Sequence, residues 1–232
     1  MWFLQRNARW RCAALTAVGV PHAVTARGRE DDADGLLPGV RVCEARQVHG
    51  VAVVRADMVE AGGLRACADA VISRDPRMAA AVRTADCLPV LLTSADGRAV
   101  AAVHAGWRGL VGWRDGDKPE RGRAGVLEAA VAEGGFGGGS SIAAIGPAIC
   151  GACFEVGDEV AAWFPPAVVR RAAGAKPHVD LVATARLRLH ACGVRQVNAL
   201  PRCTRASPAL CHSFRRDGRG MGHHIALIAP RG

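Results

Sequence analysis

"TADCLPVLLTSADGRAVAAVHAGWRGL", residues 84–110, decides the fold. Two apolar runs rich in Val and Leu, CLPVLLTS and RAVAAVHAG, flank the turn residues Ala95-Asp96-Gly97, which predicts an antiparallel hairpin. Two registers are open. A two-residue Asp96-Gly97 loop sets Cys87 opposite Gly106, and a four-residue loop from Ser94 to Gly97 sets it opposite His104. Because side chains alternate along a strand, either register puts Cys87 and His104 on one face, roughly 5–8 Å apart.

Thiolate and imidazole are preferred ligands of zinc and also suit copper. A catalytic zinc takes three protein ligands and keeps one position open. His49 in RQVHGVAV is the best third ligand, since a strand-to-turn junction before a glycine lets a side chain point out of the sheet end. Asp86 before Cys87, and Trp107 and Arg108 after His104, add a carboxylate, an indole and a guanidinium where a pocket needs them. The competing reading makes Cys87 a buried core cysteine and His104 a satisfied strand-end histidine.

Outward from the hairpin, VRVCEARQVHGVAVVRA (40–56), ADAVIS, MAAAVRT and IAAIG read as strands, and HHIALIA as a closing core strand. GVLEAAVAEGG (125–135), EVGDEVAAWF (155–164) and VDLVATARLRLHACG (179–193) carry helical patterns, closed by glycines or by Pro165-Pro166. GWRDGDKPERGRAG (112–125) is polar and glycine-rich, which predicts an exposed loop. GGFGGGSS is a plain connector, because no Gly-Lys-Ser/Thr follows to make a phosphate loop. No repeat or linker divides the 232 residues, so one α+β domain is expected.

Half the residues are apolar, but Tyr is absent and Phe numbers five, so Val, Leu, Ile and Ala must build a layered core. The net charge of +9 admits a small anionic ligand such as phosphate. It does not point to nucleic acid: the basic residues are scattered, and no aromatic stacking platform, zinc finger or basic arm accompanies them. Nine cysteines without a regular framework argue for a reducing compartment, and no stretch is long enough to span a bilayer. MWFLQRNARWRCAALTAVGV only faintly imitates a signal peptide, its apolar run being short. A cytoplasmic enzyme is expected.

Five stretches, GVPHAVTARG, QVHG, ADAVIS with RTADCLPVLL, AAVHAGWRG and AIGPAICGACFEVGDEV, together with the tail CTRASPALCHSFRRDG, resemble the YfiH-type laccase-domain family. That family also goes by multicopper polyphenol oxidase-like proteins, peptidoglycan editing factors and FAMIN-type purine nucleoside phosphorylases. The likeness spans about residues 19–228 of a single domain covering 1–232. It implies a four-layer αββα sandwich of mixed sheets, of the CNF/YfiH-like type grouped with cysteine hydrolases, and metal ligands at His49, Cys87 and His104. The implied reactions are phosphorolysis of adenosine, inosine, guanosine and methylthioadenosine, with adenosine deamination beside it.

On this reading a zinc ion lowers the pKa of its bound water to about 7, the chemistry deamination needs. Arg108, Arg27 and Arg83 are the arginines that clamp phosphate. Asp86 moves a proton or orients a ligand imidazole. Trp107 stacks on the base, and Gln47 of QVHG belongs to the substrate contacts. The partners are a purine nucleoside and phosphate, with no nucleic acid and no membrane, on a monomer or small homo-oligomer.

Three departures stand out. REDDADGLLPGVRVCEAR (29–46) is short and acidic, residues 112–125 read as an insertion beside the pocket, and the order in DGRGMGHHIALI leaves Arg219 without a family role. A second class is a metal-free cysteine hydrolase acting on a cell-wall precursor, with Cys87 as nucleophile and His104 as base. A copper polyphenol oxidase needs several ligand sets, and the adjacent His223 and His224 face opposite ways on a strand. CGAC (150–153) reads as half of a structural zinc site, as a redox pair, or as two packed cysteines at a loop-to-helix junction.

Overall fold

Long apolar strands without polar alternation arise when both faces of a sheet are covered, and CLPVLLTS and AVAAVHA have that composition. The computed structural model describes residues 1–5, 8–28, 33–59, 65–113 and 122–232. Its strands are β1 (Trp2–Leu4), β2 (Arg9–Cys12), β3 (His22–Thr25), β4 (Arg41–Glu44), β5 (Val53–Arg55), β6 (Ala70–Ser73) and β7 (Met78–Thr84). They continue as β8 (Leu88–Thr93), β9 (Val100–Ala105), β10 (Ile142–Ile145), β11 (Val169–Arg170), β12 (His178–Val179), β13 (Gln196–Ala199) and β14 (His224–Ile228). One sheet has the order β1-β2-β3-β14-β7-β4 and a second the order β13-β10-β8-β9-β6-β5. Both are mixed: β4–β7, β10–β13 and β5–β6 pair in parallel, while the hairpin pairs are antiparallel.

The two sheets stack on a shared apolar layer in which Trp10, Val24, Val82 and Ile228 of the first meet Val71, Leu91, Val100 and Ala144 of the second. The other face of the second sheet is covered by the helices Val126–Gly134 and Leu181–Ala191, which pack Leu127, Val131, Leu181 and Leu189 on Val90, Leu92 and Val103. All six residues of β8 and of β9 are therefore buried. On the outer face of the first sheet, Leu36 and Leu37 pack on Ala23, Ala79, Ala81, Ile225 and Leu227. Cys12 and Leu15 of the N-terminal stretch are fully buried in the shared layer. No helix of the described residues is long and apolar enough to cross a membrane.

The hairpin forms as expected, with Leu88 opposite Ala105 and Pro89 opposite His104, so Cys87 approaches Gly106 as the first register requires. Its turn is longer than the two residues that register assumed. Ser94 N donates to Ala99 O at 2.9 Å, leaving Ala95–Arg98 as the loop. The cause is side-chain capture of turn N–H groups: Ser94 Oγ accepts from Ala99 N, and Asp96 Oδ1 from Arg98 N.

The helix over 126–134 ends as predicted on Gly135, in the left-handed region at φ 73°. The helix over 181–191 starts on Asp180, whose carboxylate accepts from Ala183 N at 2.9 Å. The stretch 155–164 departs from its reading, for only Asp158–Ala161 is helical. Glu155 is drawn instead into a β-bridge with His178. Phe136, fully buried, anchors the glycine-rich connector. Of the loop 112–125, residues 114–121 lie outside the described residues, as do 29–32 of the short acidic stretch.

Candidate active site

Three segments converge at one end of the second sheet. Cys87 immediately precedes β8, His104 lies in β9, and His49 sits between β4 and β5 with φ at 60°. A positive φ is costly for a residue with a Cβ, so the loop needs external support. Asp69 supplies it. Its Oδ1 accepts from His49 N at 2.9 Å, and its Oδ2 accepts from Gly50 N at 2.7 Å and Val48 N at 3.2 Å.

The same carboxylate meets His104 Nδ1 at 2.7 Å. Because β6 pairs with β9, Asp69 stands directly across from His104, and His104 N donates to Asp69 O at 2.7 Å. One buried carboxylate thus fixes both imidazoles, orienting His104 so that Nε2 is the nitrogen left for the site.

One ligand atom from each of His49, Cys87 and His104 lies within 4.8 Å of the other two. The histidine rings stand edge to face, with centroids 4.7 Å apart. Gly106 is what permits this closeness: a Cβ there would lie 3.1 Å from Cys87 Sγ and 3.1 Å from His49 Cδ2. At Gly109 a Cβ would meet Gly50 O at 2.8 Å, so the glycines of HAGWRG answer to packing around the trio.

Burial opposes charge on Cys87, but the His104 and His49 imidazoles outweigh it and bring the thiol down to about 6. Burial likewise opposes charge on His104, which the Cys87 thiolate and Asp69 overcome, raising it to about 9. Burial also works against the Asp69 carboxylate, yet His104 and the loop N–H groups hold it below the usual range. Thiolate and imidazolium thus stabilise one another in this pocket. Two imidazoles and a thiolate in this cradle fit a borderline-soft divalent cation.

The trio opens into a cavity of about 1300 Å³, lined by seven basic residues against three carboxylates. Arg83, Arg108, Trp107, Gln47 and Asp86 all line it. Their engagements differ from the sequence reading. Gln47 spends its amide on the backbone of Arg83, donating to Arg83 O and accepting from Arg83 N, both at 2.8 Å. Arg83 itself pairs with Glu44 at 2.8 Å. Arg108 lies over the rings of Trp107 and Trp113, 5.4 and 5.7 Å from their centroids, and Trp107 packs edge-on against Trp113.

Asp86, at φ 91°, accepts from Thr204 Oγ1 at 2.5 Å and from Arg215 N at 2.7 Å. Orienting an imidazole, one of the two roles expected for Asp86, is therefore performed by Asp69. Arg27 is a second correction. Its guanidinium donates to Pro208 O at 3.0 Å, and it is not part of the cavity wall.

Sequence reasoning missed Asp69, whose signal was an acidic residue leading into the apolar strand of ADAVIS. It also missed Arg215 in the tail motif, which donates to Glu155 O at 2.7 Å and lies over Phe154. Thr84, in the same wall, has a buried Oγ1 with no hydrogen-bond partner among the described residues. Arg219 also lines the cavity. The pair His223-His224 splits: His223 faces the cavity, while His224 is buried with its ring nitrogens on Thr25 O and His212 N.

A family model described as multi-copper polyphenol oxidoreductase laccase matches residues 19–231. A purine nucleoside phosphorylase of Pseudomonas aeruginosa is 41% identical over 189 residues, covering 78% of this chain and 71% of that one. An adenosine deaminase from an unknown prokaryote is 37% identical over 173 residues, covering 69% and 61%. Among solved structures, a Neisseria meningitidis protein superposes with a TM-score of 0.73 at 38% identity, covering 84% and 76%.

Proposed function

Because the chain belongs to the multi-copper polyphenol oxidoreductase laccase family, we propose that it is a zinc-dependent purine nucleoside phosphorylase with adenosine deamination as a second reaction. Its substrates are adenosine, inosine, guanosine and methylthioadenosine. One observation carries the reading: a Cys/His/His trio at the floor of a cationic cavity large enough for a nucleoside and a phosphate. His49, Cys87 and His104 would hold the ion, which would supply Lewis acidity to the bound substrate or water.

The chain's own residues do the rest. Asp69 keeps the proton on His104 Nδ1 and holds the His49 loop closed. The cationic wall, with Arg108 and Arg83 nearest the motifs, attracts phosphate and holds it beside the sugar. In phosphorolysis a phosphate oxygen bonds to the anomeric carbon, the bond to the purine nitrogen breaks, and the base leaves with a proton. In deamination a water oxygen replaces the exocyclic amine, which departs as ammonia. Trp107 and Phe154 give the base apolar surfaces. Asp86 positions the Cys87 turn against the Arg215 wall.

The same reading treats the molecule as one four-layer αββα domain grouped with cysteine hydrolases, with 112–125 as an inserted loop. Stacked mixed sheets and the helices over the second support it. It places the enzyme in the cytoplasm as a monomer or small homo-oligomer. Zinc is preferred to copper because, among the described residues, only one ligand set contains histidine, with His224 tied into the core, and multicopper oxidation needs several such sets.

A second reading, a metal-free hydrolase of a cell-wall precursor, draws on the ordered set Asp69–His104–Cys87, in which a carboxylate orients an imidazolium beside a thiolate. Product analysis separates the two. The protein incubated with inosine is expected to release hypoxanthine and ribose 1-phosphate only when phosphate is present. Phosphate-independent or absent turnover of inosine and adenosine by zinc-loaded protein contradicts the proposal.

A further inference from the structure

A second set of sulfurs converges away from the trio. The Sγ atoms of Cys150, Cys153 and Cys203 all lie within 4.8 Å of one another, and all three thiols are free and partly exposed. Cys150 and Cys153 sit on one tight turn, in which Cys153 N and Phe154 N both donate to Cys150 O, at 2.9 and 3.0 Å. Cys203 comes from a separate segment, held alongside by a parallel bridge between Ala148 and Cys203. Cys150 N donates to Cys203 Sγ at 3.4 Å, and Ala206 N is directed at the same sulfur. Backbone donors aimed at a sulfur favour the thiolate over the thiol.

Ligand thiolates around a tetrahedral ion at about 2.3 Å stand roughly 3.8 Å apart, so three sulfurs this close need only a small contraction to share one. We infer that Cys150, Cys153 and Cys203 form a second metal site, for a thiophilic d10 cation of the Zn²⁺ type. Water or another small ligand completes the coordination. Each cysteine gives up its thiol proton to solvent as the ion binds. This is a complete three-thiolate set, which the C-x-x-C turn alone does not provide.

The neighbours of these cysteines show what the ion does. Ile149, next to Cys150, donates its N–H to Asp86 O at 2.9 Å, and Thr204, next to Cys203, donates to the Asp86 carboxylate at 2.5 Å. Phe154, next to Cys153, lines the cavity. An ion on the three sulfurs therefore locks two separate segments together behind Asp86, the residue before Cys87. The site is structural, and its occupancy stiffens the wall that faces the trio.

The test is metal content. The full-length protein, saturated with Zn²⁺ and freed of excess by gel filtration, is expected to carry two zinc per chain. Cys203→Ser is expected to carry one, Cys87→Ala one, and the double variant none. In case Cys203→Ser fails to fold, wild-type protein loaded with Cd²⁺ gives an independent reading, with an ultraviolet charge-transfer band of four thiolates expected and that of one thiolate contradictory. One zinc per wild-type chain, or unchanged content in folded Cys203→Ser, overturns the inference. So does a disulfide among the three cysteines in protein that carries a single zinc, since the cluster is then a redox pair.

Discussion

The two sheets each bury histidines, and they use them differently. In the first sheet, His22 Nε2 accepts from Cys12 N at 2.8 Å while its Nδ1 lies 2.8 Å from Val20 O. His224 repeats the pattern between His212 N and Thr25 O. Both nitrogens of each ring are occupied by the backbone, so these side chains are neutral structural struts. His104 in the second sheet gives Nδ1 to a carboxylate and faces the Cys87 sulfur with its other nitrogen, giving neither to the backbone. Burial, aided by Arg11, pushes His22 down to about 4, whereas Cys87 and Asp69 hold His104 up at about 9. Burial alone does not mark a functional histidine. The informative features are one nitrogen left over and an anion behind the other.

The contrast breaks most severely at the sulfur. Cys87→Ala is expected to abolish metal binding at the trio and reduce phosphorolysis to background while the chain stays folded, as read by zinc analysis and inosine turnover. Full turnover in a variant that has lost the trio's zinc sinks the trio's role.

The next effect falls on the strut. His22 has a folded pKa of about 4 and an ordinary value of 6.5, so between these the unfolded chain binds a proton that the folded chain excludes. Its stabilising contribution is fully present above pH 6.5 and is lost as the pH falls towards 4. The loss is roughly 3 kcal/mol in all. Denaturant midpoints measured across that range should show this decline, and His22→Gln should flatten it. Equal slopes in both proteins contradict the assignment.

Asp69→Asn sharpens the comparison from the other side, by giving His104 a neutral partner of the kind His22 has. Loss of such a supporting carboxylate typically weakens metal affinity 10–100-fold, about 1.4–2.7 kcal/mol. Competition with a zinc chelator measures this, and an unchanged affinity removes Asp69 from the account. The smallest effect is expected at Gly106→Ala. A methyl 3.1 Å from Cys87 Sγ and His49 Cδ2 must push them slightly apart, weakening zinc binding by up to about tenfold. Tighter binding would mean the trio is not held at contact distance.

Much of this was readable in the chain because it rests on local chemistry. The hairpin, its first register, the helices over 126–134 and 181–191 and the placing of Cys87 and His104 on one face follow from periodicity and turn residues within short windows. What escaped depends on pairing between distant segments. Asp69 reaches His104 only because β6 lies beside β9, a neighbour relation that no spacing encodes. Arg27 had the right chemistry but lies off the cavity wall on the other sheet's loop, and Cys203 stands 53 residues beyond Cys150. The helix over 155–164 was cut short because Glu155 found a strand partner at His178. Propensity in a short window yields to such a contact.

On the proposed function, one sulfur and two imidazoles share an ion. X-ray absorption at the zinc edge of zinc-loaded Cys203→Ser protein, in which the second thiol set is broken, tests it most directly. The expected spectrum has one sulfur at about 2.3 Å and two imidazole nitrogens at about 2.0 Å, with a light atom completing the shell. A folded protein that retains no zinc, or a shell lacking either the sulfur or the imidazoles, contradicts it.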